Sequence, residues 1–263
     1  MGMELEVRLI LINLPRNAKA IIVSFLFHQV STFLMSMARR TGKGALAFKA
    51  GGVSLVLIGA VLLAVLPLLA ILTPILLDTN VSLVLKALES LSSLNMLFFS
   101  LLGVNDILYI ISFASLYLFF KGRRSYLALL SFALIIAAAS IDLATDIPLH
   151  FAILSIANSY LSSNQLSKPS YLAVGSLALS LGNIGGLLAQ LPLSLAEIII
   201  AYAMLSSEEF GSFTGKTGII AGILTMPFFL LFSEVGSLVY ILGFLFNIVW
   251  SFSAGIKLYR LKA

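Results

Sequence analysis

Few side chains in this sequence can do chemistry, and those that stand out sit inside runs of leucine and isoleucine. Glu197 lies deep in the apolar run 193–205, with no cation near it in sequence. Asn183 and Gln190 precede it, on a stretch interrupted by Gly182, Gly185, Gly186 and Pro192. Asn105 and Asp106 form a polar doublet in a second apolar run, 94–120. Ionisable side chains at membrane depth are costly, and they face a bundle interior or a cavity. Glycine-broken helices with polar groups at that depth line binding sites. Glu197, Asn183, Gln190, Asp106 and Asn105 are therefore the candidate substrate-binding residues, with Glu197 foremost. The competing role for each is interhelical hydrogen bonding.

Asp142, Asp146 and His150 recur every four residues. On one continuous helix they would share a face and could hold a divalent metal. The competing reading makes Asp146 the cap of a new helix with Pro148 in its first turn, and Asp142 the end of the helix before it. No catalytic set emerges and no cofactor is implied. There are no cysteines, so thiolate nucleophiles, disulfides and cysteine-ligated metals are excluded. Residues Gly211–Thr217 imitate a phosphate loop, but the spacing is one residue short and the stretch leads into an apolar run instead of following a strand. Asn105-Asp106 lacks the further aspartates of a prenyltransferase-type magnesium site. Glu208-Glu209 lacks the histidines of an intramembrane metalloprotease.

The elements that must position these residues are membrane-spanning helices. Of 263 residues, 60% are hydrophobic and 10% charged, too few charges to cover a soluble protein of this size. The fold class expected is an all-α, polytopic transmembrane bundle. Residues 45–263 read as one transmembrane domain, and 1–44 as an N-terminal extension with a weakly apolar helix at 18–38. Met35 and Met37, just before Ala38-Arg39-Arg40, offer an alternative start that would make 1–36 an upstream extension. Strong apolar runs cover 45–71, 94–120, 125–141, 217–232 and 236–259, residues 78–93 read as a polar loop between the first two, and residues 206–216 read as another polar loop. The 35-residue stretch 171–205 is too long for one straight span. Six spans are expected if 147–161 lies along the interface and 171–205 crosses once with a kink. Eight result if 147–161, 171–189 and 192–205 each cross.

The net charge of +5 does not point to nucleic acid, because the cations cluster at the ends of apolar runs. Clusters at 39–43, 121–124 and 257–262 are expected on the cytoplasmic side, with the C-terminus. The lipid bilayer is the principal partner, with a small-molecule ligand beside it. Gly218 and Gly222 form a GxxxG pair for close helix packing, within the chain or in a homo-oligomer.

Further sequence features are Ala47-Phe-Lys-Ala-Gly-Gly52 opening a span and Leu116-Tyr-Leu-Phe-Phe-Lys121 closing one. Glu208-Glu-Phe-Gly-Ser-Phe-Thr-Gly-Lys-Thr-Gly218 precedes another, and Trp250 is followed by Gly255-Ile-Lys-Leu-Tyr-Arg260. In these the chain from about residue 45 to its end resembles a prokaryotic family of multi-spanning membrane proteins catalogued as a domain of unknown function. The resemblance implies about six spans and supplies no activity. Three roles follow as expectations: binding or transport of a small solute or lipid, foremost; a membrane-embedded enzyme using the intramembrane carboxylates; or a structural or regulatory subunit.

Overall fold

The computed structural model describes residues 44–76, 78–226 and 234–261. The N-terminal extension, with its helix at 18–38 and the starts at Met35 and Met37, lies outside the described residues but for Gly44. Regular structure among the described residues is entirely helical: α1 (Gly44–Leu76), α2 (Val81–Ser90), α3 (Ser92–Phe120), α4 (Ser125–Ile141), a π-helical turn (Asp142–Asp146), α5 (Ile147–Ser162), α6 (Lys168–Leu205), α7 (Gly211–Thr225) and α8 (Glu234–Arg260). Residues Phe48–Lys262 form one compact unit.

Five of the described stretches are long and apolar enough to cross a membrane: Ala45–Thr73, Ser92–Phe120, Ser125–Ser162, Lys168–Leu205 and Leu238–Arg260. Less than half of each is buried within the protein. The outward face is itself apolar. Along α6, Val174, Leu177, Leu181, Ile184 and Leu188 are each about half exposed, whereas the opposite face buries Gly175, Ala178, Gly182, Gly185 and Ala189. Large aliphatics outside and small residues inside suit a helix solvated by lipid, since packing rather than water exclusion holds such helices together.

Small residues set the helix approaches. A Cβ on Gly52 would lie 2.5 Å from the Tyr259 backbone nitrogen, and one on Gly255 2.8 Å from the Gly52 carbonyl oxygen, so α1 and α8 meet almost backbone to backbone. The Gly218–Gly222 face of α7 is likewise occupied within the chain. Gly218 leaves room for Trp250 and Ala201, and Gly222 for Ile198 and the Ser194 carbonyl.

Three expectations about elements are corrected. Residues 142–146 do not end one helix and start another; α4, the π turn and α5 run on as one 38-residue helical stretch. Pro148 has no N–H for the carbonyl four residues back, and its ring crowds that carbonyl. The wider turn just before it absorbs the defect: Ile147 N–H bonds the Asp142 carbonyl, and Thr145 Oγ1 donates to the Ile141 carbonyl at 2.7 Å. Residues 78–93 are not a polar loop but mostly helix α2. Its N-cap Asn80 accepts a bond from Leu83 N–H, and Val84, Leu85 and Leu88 pack on Ile153, Leu154, Ala157 and Leu179. The polar stretch 206–216 is a loop only to Phe210. Gly211, at φ +66°, takes a left-handed conformation that favours glycine, and α7 starts there. Helix α6 is one continuous helix with Pro192 inside it. Of the described part, α7 has 15 residues, about 22 Å at helical rise, and falls short of a full crossing.

One end of the bundle is tied by polar bonds. Arg123 pairs with Glu209 at 2.6 Å, and Ser207 Oγ donates to the other Glu209 oxygen at 2.6 Å. Lys257 Nζ donates to the Phe210 carbonyl and, at 2.8 Å, to Thr214 Oγ1. The turn after α3, the loop before α7 and the last turns of α8 therefore share one face.

Candidate functional site

The residues at the centre are polar, buried and drawn from helices far apart in sequence. Glu197 on α6 has no solvent exposure. Its Oε1 accepts from the Tyr109 hydroxyl of α3 at 2.9 Å and from Asn247 Nδ2 of α8 at 2.6 Å. Asn247 Nδ2 also donates to Tyr109 Oη at 3.1 Å, and Ser251 Oγ donates to Asn247 Oδ1 at 3.1 Å. Glu197 Oε2 is buried with no hydrogen-bond partner among the described residues. One helix turn away, Gln190 Nε2 donates to Ser194 Oγ at 2.9 Å, and that hydroxyl shares a 3.1 Å bond with Thr225 Oγ1 of α7.

Beside this network lies a cleft of about 170 Å³. Asn105, Asp106 and Tyr109 of α3 line it, with Asp142 of the π turn and His150 of α5. Asn183 and Gln190 of α6 and Asn247 of α8 complete its polar wall. Leu62, Val65 and Leu69 of α1, Phe98, Phe99 and Leu102 of α3 and Phe244 of α8 form the apolar remainder. Among the described residues no lysine or arginine lines it.

The structure therefore brings Asn105, Asp106, Asn183 and Gln190 onto one cleft. It sets Glu197 just behind the wall, bonded to two residues that line it. No family model matches the chain, and no curated protein or solved structure does. The site is thus read from its own geometry.

The residues weighed as metal ligands divide. Asp142 and His150 line the cleft, and Asp146 falls in the π turn, its side chain outside the description. The π turn breaks the uniform four-residue register on which the shared face depended. Among the described residues, no group of three His, Cys, Asp or Glu side chains could hold a metal ion. His150 is placed by stacking. Its ring lies 3.8 Å from that of Phe99 at 19°, and Gly182 makes room on the other side, where a Cβ would fall 2.9 Å from His150 Cε1.

Sequence reasoning missed Tyr109 and Asn247 as members of the site. A signal existed for both. Tyr109 lies four residues after Asn105 and three after Asp106, hence on the same helical face. Asn247 is a polar side chain in the middle of an apolar helix.

Outside the spans, Glu209 is held below the usual carboxylate range. The Ser207 hydroxyl bond contributes most, its own backbone N–H next, and Arg123 less.

Proposed function

We propose that this is a multi-pass membrane protein that binds or transports a small solute or lipid in the cleft between α1, α3, α6 and α8. One observation carries the reading: side chains from distant parts of the chain converge on a single cleft in the apolar bundle, backed by a buried carboxyl group with one oxygen unpaired among the described residues. A mid-bundle cavity with fixed polar groups is the usual setting of a solute site in such folds.

The topology we infer has six crossings, by α1, α3, the α4–α5 stretch, α6, the apolar run 217–232 that begins in α7, and α8. The Arg123–Glu209 and Lys257–Phe210 contacts support it, since they require an even number of crossings between residues 124 and 206 and between 210 and 257. The basic clusters support a cytoplasmic side for that face and for the C-terminus, in a protein of the cell membrane. The resemblance of residues 45–263 to a multi-spanning prokaryotic family is in keeping with this count. A second reading, a membrane-embedded enzyme, draws on the shared position of Asp106, Asp142 and His150 on the cleft. Homo-oligomer formation through Gly218 and Gly222 has less support, because Trp250 and Ile198 already occupy that face.

The test is a panel of small solutes scored by thermal stabilisation of the purified protein. Asn183→Trp, which fills the cleft, serves as the control. Ligands that stabilise the wild type and not the filled variant support the proposal. Equal stabilisation of both would remove its basis.

A further inference from the structure

We propose that the cleft takes a small organic ammonium ion; this rests on the solute-binding reading and names the class of solute. The argument begins with which hydrogen-bonding groups are already used. Tyr109 has one proton, and its acceptors are Glu197 Oε1 at 2.9 Å and Asn247 Oδ1 at 3.3 Å, both within the buried network. The two Asn247 amide protons go to Glu197 Oε1 and Tyr109 Oη. Gln190 Nε2 commits a proton to Ser194. Three donor atoms of the wall, Tyr109 Oη, Asn247 Nδ2 and Gln190 Nε2, therefore already have acceptors inside the protein.

Asn105 supplies an acceptor that these bonds do not use. Its side chain lines the cleft, is 6% exposed, and its Oδ1 has no donor among the described residues. A buried carbonyl without a donor costs about 1–3 kcal/mol. A ligand N–H directed at it would recover that cost. Asp106, the next residue, and Asp142 of the π turn add carboxyl groups to the same lining, which among its described residues has one histidine, His150, and no lysine or arginine.

The remaining surface discriminates between kinds of cation. No group of three ligating side chains suits a metal ion among the described residues. Aromatic and aliphatic side chains also line the cleft, among them Phe98, Tyr240, Phe244, Leu62 and Val65. Aromatic faces attract ammonium groups, and the aliphatic surface suits an apolar body. An N–H-bearing head with a compact hydrocarbon part satisfies both halves.

Benzylammonium, benzyl alcohol and benzoate share one ring and differ in the head group. Calorimetric titration of each into the full-length protein in detergent tests the class. Benzylammonium is expected to bind at least about tenfold more tightly than the other two, the scale of one hydrogen bond to a charged group. Asn105→Leu should weaken it by about tenfold and weaken benzyl alcohol, whose uncharged O–H is the weaker donor, by less. Asn105→Ser, a milder change, serves the same purpose if the leucine variant does not fold. Benzyl alcohol or benzoate binding as tightly as benzylammonium, yet weakened by Asn105→Leu, would overturn the ammonium class and leave the cleft as a solute site. Binding of all three at wild-type strength in both Asn105 variants would place them elsewhere and defeat the solute-binding reading as well. Failure of the wild type to bind benzylammonium would overturn the ammonium class.

Discussion

Tyr109→Phe removes one oxygen from the buried network and leaves the ring in place. That hydroxyl donates to Glu197 Oε1 at 2.9 Å and accepts from Asn247 Nδ2 at 3.1 Å. Asn247 keeps its 2.6 Å bond to Glu197 and loses only the one to the hydroxyl. Two buried bonds at roughly 1 kcal/mol each give an expected loss of about 2 kcal/mol. Glu197→Leu removes the acceptor that both donors share and should cost more, about 2–4 kcal/mol, while Glu197→Gln keeps an acceptor oxygen and should cost less. The assay is equilibrium unfolding by SDS titration in mixed micelles. It is run on wild type, Tyr109→Phe, Glu197→Gln and the double variant. Coupling of about 1 kcal/mol between the two sites is expected, since groups in one network do not add. A Tyr109→Phe variant within about 0.5 kcal/mol of wild type, strictly additive with Glu197→Gln, would refute the network as an energetic unit.

Three further outcomes follow from the structure. Gly218→Leu should destabilise the bundle by about 1–3 kcal/mol in the same titration, because even its Cβ would meet Trp250 Nε1 at 2.5 Å and Ala201 Cβ at 2.7 Å. Single cysteines at Ser82 and Ser125 should react with an impermeant thiol reagent from opposite sides of the membrane; labelling of both from one side would contradict the six-crossing topology. Glu209 has a lowered pKa, so its contribution is present above its ordinary value of 4.5 and is lost as pH falls through the lowered one. Being partly exposed and screened, the Arg123–Glu209 pair should contribute under about 1 kcal/mol, and Glu209→Gln should flatten the acid limb of the stability–pH curve by no more than that.

The helical membrane character was legible from the sequence because composition and run length report it directly: long apolar runs with so few charges have no soluble alternative. The continuity of α4 through α5 was not. Asp142 reads as the end of one helix and Asp146 with Pro148 as the start of another, and only a π turn, which leaves no mark in hydropathy, carries the helix past them. Helix α2 was hidden by its polar face, although Val81, Val84, Leu85 and Leu88 follow helical spacing behind the Asn80 cap. In the candidate site, the polar residues could be picked out singly because each is costly at membrane depth. Their convergence could not, since which helix faces which depends on small-residue contacts such as Gly52 with Gly255 and Gly182 with His150. Tyr109 was passed over because its ring reads as packing, whereas its hydroxyl bonds the buried carboxyl group.

The central claim is that a polar cleft inside the apolar bundle is open to a small water-borne molecule. The absence of cysteine makes an introduced thiol the sole reporter. Single cysteines at Asn183, on the cleft, and Leu177, 60% exposed on the outward face of the same helix, can be compared in membranes with a small hydrophilic methanethiosulfonate. The account predicts that the cysteine at 183 reacts, that the cysteine at 177 does not, and that a solute found by thermal stabilisation slows the reaction at 183. An unreactive cysteine at 183 alongside a reactive one at 177 would contradict it.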